Sequence, residues 1–249
     1  MPRKPAIDEL LKSTPRLWKG SQSGHRQPTL PTGQARLDAR LPGGGWPLAA
    51  VSEIIPTHPG IGELSLLLPA LAEISGRGQW VVLIDPPWQP CPAALQGNGL
   101  PLEHLLLVRS RTEKESLWAC EQALRAGHGG AVLAWPERIG FSRLRRLQLA
   151  AEAHAKLGIL FRPASAAHES SPVALRLLLQ ADEGGRGRTR IRVLKCRGSR
   201  PTGSLWLTRP HAQLPDVAYG PAPTAEPEMG TLLRADQDSM RPAVPTAIN

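Results

Sequence analysis

The residues that follow the first predicted buried strand, residues 50–55, have the glycine spacing of a phosphate-binding turn. The segment PTHPGIGELS contains Gly60 and Gly62 and leads directly into a predicted helix. A turn that binds nucleoside triphosphates has the pattern GxxxxGK[ST], in which backbone amides and a lysine hold the phosphates and a hydroxyl holds magnesium. Here Glu63 stands at the lysine position and Leu64 at the hydroxyl position. We therefore predict a degenerate phosphate loop and no cofactor.

Acidic side chains that could support ATP hydrolysis are missing at the expected places. After the second predicted strand the chain reads DPP from Asp85, without a nearby glutamate to polarise a water, and the fourth ends at Trp135 without a magnesium-binding acid. Glu137 lies in a turn, and we interpret it as a solvated carboxylate. A carboxylate at position 63 also repels a triphosphate by on the order of several kcal/mol. We predict no catalytic residue; an ATPase with an unorthodox turn is the enzyme alternative.

The cysteines and the hydropathy of the chain restrict the remaining site types. Cys91, Cys120 and Cys196 lie far apart, without a CxxC pair or a neighbouring histidine cluster. We therefore predict neither a disulfide framework nor a metal site. The N-terminal residues lack an apolar run of signal-peptide length, and no segment approaches the ~20 apolar residues of a membrane span. We expect no membrane partner and a cytoplasmic location.

Positive charge is concentrated in the body of the chain. The formal net charge is +9, and residues 211–249 carry five acidic residues against two arginines, which leaves +12 for the residues before them. Residues 184–210 contain eight basic residues and no acid. In a strand, Arg188, Arg190 and Arg192 lie on one face, because side chains alternate, and could follow a phosphate backbone. The alternative is a solvated face that only improves solubility.

A second basic cluster lies in the first turns of the helix predicted from residue 142. Together with the strand, it gives the candidate contacts for DNA or for an acidic protein surface. These candidates are Arg143, Arg145, Arg146, Arg186, Arg188, Arg190, Arg192, Lys195, Arg197 and Arg200. Tryptophans on predicted strands or apolar helix faces are expected to pack in the core: Trp80, Trp118 and Trp135. Tryptophans near loops or element edges are candidates for a partner surface: Trp18, Trp46 and Trp88. For Trp46, which follows three glycines, the alternative is that it plugs the end of the sheet.

Strands alternate with helices through most of the chain. Apolar runs predict strands at residues 50–55, 79–84, 105–108, 131–135, 159–162, 174–180 and 189–196. Helical spacing predicts helices at residues 64–76, 114–126 and 142–157. The alternation indicates a three-layer α/β domain with a mostly parallel central sheet, and the last two strands form an antiparallel hairpin. We assign residues 1–40 to an N-terminal helix and arm, 41–209 to the domain, and 210–249 to a flexible, disordered tail.

These elements and several of their segments resemble the RecA ATPase core, notably VSEII, WVVLID, LLLV, GGAVLAW and RIRVLKCRG. More narrowly, LPGGGWPLAAVSEI, PGIGELSLLLPAL and KCRGSRPTG are similar to the ImuA family of translesion-synthesis-associated proteins, also described as RecA-like or SulA-like. The resemblance covers about residues 18–207. The segments that match the DNA-binding loops of RecA, residues 136–142 and 163–172, are short, so we do not expect autonomous filament formation.

The resemblance implies a degenerate RecA-like domain and a non-catalytic accessory role in SOS-induced translesion synthesis and mutagenesis. It implies an adaptor for an ImuB-type Y-family polymerase homologue and an error-prone replicative-type polymerase, with RecA and DNA as further candidate partners. A SulA-like cell-division inhibitor is the alternative that shares the damage-inducible setting.

Overall fold

The computed structural model describes residues 28–127, 129–182, 184, 187–198 and 203–208. The strands in these residues are β1 (Thr29–Leu30), β2 (Trp46–Pro47), β3 (Ala50–Pro56), β4 (Trp80–Ile84), β5 (Leu105–Val108), β6 (Gly129–Ala134), β7 (Leu157–Phe161), β8 (Leu175–Ala181), β9 (Arg188–Cys196) and β10 (Ser204–Thr208). The α-helices are α1 (Ala35–Asp38), α2 (Leu68–Gly76), α3 (Pro92–Gly97), α4 (Glu113–Arg125) and α5 (Phe141–Ala153). Short 3-10 helices cover Leu102–His104 and Ala164–His168.

Strands β3 to β10 form one sheet in the order β10-β9-β8-β3-β7-β6-β4-β5. Neighbours from β8 to β5 pair in parallel, whereas β9 is antiparallel to both β8 and β10. The strand before the glycine turn, β3, therefore lies inside the sheet between β7 and β8. The predicted fold class, α/β with a mostly parallel central sheet and a C-terminal antiparallel hairpin, is confirmed.

Alternating side chains of the sheet belong to two separate cores. Along β3, Ile54 packs in the cluster that also holds buried residues of α1, α2 and α3, whereas Val51 packs in the cluster formed with α4 and α5. Along β4, Leu83 and Val82 divide in the same way. Because β4 buries both faces from Val81 to Ile84, its sequence there is a continuous apolar run and not an alternating one. The sheet is the middle one of three layers.

Residues before the predicted domain boundary also contribute to the cluster that contains Ile54 and the buried residues of α1, α2 and α3, which we name the first core. Leu30 of β1 and Leu37 of α1 are buried and belong to that cluster, and β1 pairs with β2 in a small antiparallel sheet. Gly45 lies so close to β1 that an added Cβ would stand 2.1 Å from the Leu30 carbonyl oxygen. The segment 28–40 is therefore held against the domain.

Two features differ from the sequence expectation in ways that affect the site. Helix α2 begins at Leu68, because residues 63–67 form turns in which Leu66 N donates to Gly62 O and Leu67 N donates to Leu64 O. Strand β10, which was not predicted, pairs with β9 and extends the sheet by one strand. Within the described part of the chain, no helix has both the length and the apolar character needed to cross a membrane.

Candidate functional site

The glycine turn, residues 56–65, follows the carboxyl end of β3, where ligands of open α/β sheets commonly bind. Gly60 and Gly62 adopt positive φ angles of 81° and 91°, and this backbone conformation favours glycine. Thr57 N donates to Leu179 O at 2.9 Å, and Thr189 Oγ1 of β9 donates to Ile61 O at 3.0 Å. The turn is therefore fixed to β8 before the glycines and to β9 at Ile61, which lies between them.

The Glu63 side chain folds back into this turn. Its Oε1 accepts a hydrogen bond from the Gly60 backbone N–H at 2.9 Å, and the residue is only 7% exposed. Its Oε2 is buried and has no hydrogen-bond partner among the described residues. A carboxylate oxygen thus uses a backbone amide of the kind that binds a phosphate oxygen in a functional loop. The turn binds an anion that belongs to its own chain.

Little space remains beside the glycine turn. The cavity there is lined by Gly62, Leu66, Thr189, Ile191 and Leu207 among others, and its volume is about 20 Å³. This is on the scale of a single water, whereas pockets for nucleotide-sized ligands span roughly 300–1,000 Å³. Leu64, at the position of the magnesium-binding hydroxyl, packs against the first core. The described residues that line this cavity include no lysine or arginine.

The second candidate site lies on β9, at the other end of the described sequence. Thr189, Ile191 and Val193 of β9 are buried, while the arginines between them point to the opposite face. Arg190 and Arg192 are exposed, and Arg188 is half-buried. The structure therefore places three of the candidate arginines on one side of the sheet, at the alternating spacing that the sequence gives.

Trp206 of β10 lies on this same side, directly opposite Arg190 in the strand register. The guanidinium carbons of Arg188 and Arg190 stand 5.1 and 6.0 Å from the centre of its ring, within the range of a cation–π interaction. Arg190 Nε donates to Ser204 Oγ at 3.0 Å, and Arg188 forms an ion pair with Asp182 at 2.9 Å. We name the surface of Arg188, Arg190, Arg192 and Trp206 the arginine face.

The other described basic candidates near β9, Lys195 and Arg197, contact other parts of the chain. Lys195 Nζ donates to Ser171 O at 2.6 Å, and burial, followed by the charges of Arg197 and Arg176, lowers the pKa of Lys195. Arg197 forms an ion pair with Glu152 of α5 at 2.9 Å. These two residues connect β9 to neighbouring elements and are not part of the arginine face. Arg186 and Arg200 lie outside the described residues.

The three arginines of α5 lie on a different element from the arginine face. Arg143, Arg145 and Arg146 are exposed, and Arg146 forms an ion pair with Glu121 of α4 at 2.7 Å. Arg143 and Arg146 line a groove of about 160 Å³ between α4 and α5, which we name the α4–α5 groove. Trp118 lines the same groove and is 64% exposed. An exposed tryptophan beside arginines has the composition of a protein interface.

Several tryptophan predictions were wrong. Trp118 and Trp80, expected in the core, are exposed. Trp46 is 0% exposed, which contradicts its assignment to a partner surface and agrees with the alternative of a buried plug. Trp118 is exposed because Leu117, Cys120 and Leu124 form the buried stripe of α4, and position 118 falls beside that stripe.

The remaining tryptophans are closer to expectation. Trp135 is half-buried and stacks on Phe161, with ring centres 4.5 Å apart, and Trp88 is partly exposed as expected. Trp18 lies outside the described residues.

The sequence reasoning also missed a buried ion network, formed by Glu53, Arg162 and Arg176. Glu53 Oε1 accepts from Arg162 Nη1 at 3.1 Å, and Glu53 Oε2 accepts from Arg176 Nε at 2.5 Å. All three side chains are buried. Arg176 also donates to the Ala166 and Glu169 carbonyl oxygens, which fixes the 3-10 helix against β3 and β8. The described residues contain no group of three or more His, Cys, Asp or Glu side chains placed to hold a metal ion.

Comparison with known proteins identifies two sets of relatives. A family model described as "Cell division inhibitor SulA" matches residues 49–158. The cell division inhibitor SulA of Edwardsiella piscicida is 33% identical over 101 residues, which cover 40% of this chain and 60% of that protein. The SulA of Yersinia pseudotuberculosis serotype O:1b is 30% identical over 130 residues, which cover 52% of this chain and 74% of that protein.

A longer match is found with the protein ImuA of Caulobacter vibrioides strain NA1000. It is 28% identical over 227 residues, which cover 81% of this chain and 91% of that protein. The segment matched by the SulA model ends at residue 158, before β8, β9 and β10. An alignment over 81% of the chain necessarily extends beyond that segment.

Proposed function

This chain belongs to the ImuA/SulA-like family, and from that premise we propose that it is a non-catalytic accessory protein of SOS-induced translesion DNA synthesis. In this role it connects an ImuB-type Y-family polymerase homologue with an error-prone replicative-type polymerase, and RecA is a further partner. The choice of an ImuA-type role is supported by the Caulobacter alignment, which covers more of both chains than the SulA matches do.

The observation that carries the non-catalytic part of the proposal is the position of Glu63. Its carboxylate accepts a hydrogen bond from the Gly60 amide at 2.9 Å and is buried in the turn. A triphosphate would have to displace this carboxylate and would meet its charge at short range, which costs on the order of several kcal/mol in a partly dry site. The residue that could offset this charge in a functional loop, a lysine, is replaced by Glu63 itself.

The α4–α5 groove is the surface that we assign to a polymerase partner. Trp118 and Phe141 are 64% and 51% exposed, and Arg143 lies in the groove. Tryptophan and arginine contribute strongly to interface energy, because a large ring or a forked guanidinium gains much contact area when it is desolvated. A chain without ATP turnover still offers this rigid surface, since α4 and α5 are packed on the sheet.

The proposal is tested by affinity capture after DNA damage. The intact chain is compared with a variant in which Trp118 is replaced by alanine and Arg143 by glutamine, and with a control variant in which Trp88, an exposed tryptophan outside the groove, is replaced by alanine. We expect the intact chain and the control to retain both polymerase-type partners and the groove variant to lose at least one. Failure of the intact chain to retain either partner contradicts the proposal.

A second candidate function is a SulA-like cell-division inhibitor, and the match of the SulA family model to residues 49–158 favours it. Controlled expression distinguishes the two. Cell filamentation without an increase in mutation frequency would favour the inhibitor, whereas an increase in damage-induced mutation that depends on the polymerase partners supports the accessory role.

A further inference from the structure

The arginine face combines regularly spaced positive charge, an aromatic ring and a flanking sequence without acidic residues. Its arginines repeat every second residue along β9, which spaces them roughly 6.8 Å apart. Its aromatic ring, Trp206, lies under the guanidinium groups of Arg188 and Arg190. Residues 184–210 contain no acidic residue, and among the described residues the carboxylate that pairs with this face is that of Asp182, which directly follows β8. Charge and flat π surface therefore occur in one place.

The orientation of this face is set by the opposite side of the same strands. Leu205 and Leu207 of β10 and Ile191 of β9 are buried in the first core. Their packing holds β9 and β10 in place. Because neighbouring side chains alternate, Trp206 and Arg190 must then point to the other side. The side chains of the arginine face are thus carried on two strands of the sheet and not on a loop.

We propose that the arginine face binds single-stranded nucleic acid. Arg192 and Arg190 neutralise phosphates, and a base stacks on the flat surface formed by Trp206 and the adjoining guanidinium planes. Single-strand-binding proteins combine a basic track with aromatic rings in this way. A duplex keeps its bases stacked on each other and offers none to Trp206. An acidic protein could also contact the arginines and the tryptophan, but single-stranded nucleic acid presents a charge and a flat ring at every nucleotide, which matches arginines that repeat along β9 beside an aromatic ring.

This inference deepens the proposed function by assigning a ligand to the accessory protein, and it rests on that function for its biological setting. The two can fail separately. Partner capture is measured after nuclease treatment, and nucleic-acid binding is measured with the purified chain alone. Loss of capture with retained binding refutes the accessory role, and the opposite result refutes the inference.

The test is fluorescence anisotropy of the purified full chain with labelled oligothymidine of about 20 nucleotides, longer than the ~4–16-nucleotide sites of single-strand-binding folds. The double variant Arg190→Gln, Arg192→Gln should bind more weakly, and the slope of log K against log salt should fall in magnitude by about 1.4, or about 0.7 per lost phosphate contact. The matched control is the double variant Arg77→Gln, Arg125→Gln, which removes the same charge from two exposed helix-end arginines. The control should keep the slope of the intact chain.

The stacking part is tested separately at position 206. Trp206→Ala should weaken oligothymidine binding on the order of 5- to 150-fold, whereas Trp206→Phe, which keeps a ring, should restore most of the affinity. Circular dichroism identifies any variant that fails to fold, and the arginine variants then carry the test. Three results would each overturn the inference: equal loss in the Arg77 and Arg125 control, equal affinity for inorganic polyphosphate and oligothymidine, or tighter binding of a duplex of the same length.

Discussion

Replacement of Glu53 by glutamine is expected to lower the free energy of unfolding by about 3 kcal/mol or more. The change keeps the shape of the side chain but removes the negative charge that lies between Arg162 and Arg176. Breaking a buried ion pair by removing one partner costs about 3–5 kcal/mol, because the other charge stays buried without compensation. Here two guanidinium groups lose the same partner.

The contacts that the two arginines would keep indicate a loss of stability near the lower end of the range of about 3–5 kcal/mol. Arg162 would retain the carboxylate of Glu169 at 3.0 Å, and that carboxylate is 49% exposed and therefore screened by water. Arg176 would retain the Ala166 and Glu169 carbonyl oxygens. The Glu53 side chain, by contrast, is 0% exposed, so its contribution cannot be replaced by solvent without opening the sheet.

Urea denaturation followed by circular dichroism measures the difference. The control is Arg197→Gln, which breaks the ion pair with Glu152 at 2.9 Å, where both side chains are more than a third exposed. Exposed pairs contribute at most about 1 kcal/mol, so the control should remain close to the intact chain. If Glu53→Gln loses no more stability than the control, the buried ion network does not stabilise the fold as argued.

Three further predictions concern packing and reactivity. Trp118→Ala should change the free energy of unfolding by less than about 1 kcal/mol, because Trp118 is 64% exposed. Trp46→Ala should lower it by about 3–5 kcal/mol, because Trp46 is fully buried. Equal losses of stability in urea titrations would contradict these burial assignments. Gly130→Ala should lower the free energy of unfolding by about 1–3 kcal/mol, because the added Cβ would stand 2.3 Å from Ile74 Cγ2. Gly76→Ala, whose new methyl group meets open space, should leave the stability unchanged or raise it. Thermal melts that rank the two variants in the opposite order would contradict the packing around Gly130. Burial raises the pKa of the Cys120 thiol to about 12, so a thiol reagent at about pH 8 should modify Cys120 only after the chain unfolds. Rapid reaction of all three cysteines in the folded chain would contradict the burial of Cys120.

The strands of the parallel sheet were predictable because each consists mainly of apolar residues, although Glu53 in β3 and Arg176 in β8 interrupt two of the runs. The run LLLV coincides with β5, and WVVLI coincides with β4. Strand order was not predictable from such runs. Strand β4 follows β3 in the chain, yet β6 and β7 lie between them in the sheet. That order depends on which helix covers which face, and local spacing does not contain this information.

The glycine turn shows a similar limit at the site. The sequence indicates that the lysine is missing, since Glu63 stands in its place. It does not indicate that the carboxylate returns to the Gly60 amide, because that contact depends on positive φ angles at Gly60 and Gly62 and on the delayed start of α2 at Leu68. The substitution was predictable, but the occupation of the turn by its own side chain was not.

Long-range pairing explains the two features that sequence reasoning missed. Glu53 meets Arg162 and Arg176 across 109 and 123 residues, and no local pattern connects them. Trp206 had a usable signal, because SLWLT is a short apolar run between polar residues, which is compatible with a strand. Only the register with β9 brings that ring opposite Arg190.

The central claim is that the glycine turn binds its own carboxylate and no nucleotide. Isothermal titration of the purified chain with ATP and magnesium tests it most directly. We expect no saturable heat at millimolar ATP for the intact chain, and none for Glu63→Ala, since that variant still lacks the lysine and the hydroxyl. Magnesium-dependent binding of ATP at micromolar concentration by the intact chain would contradict the account.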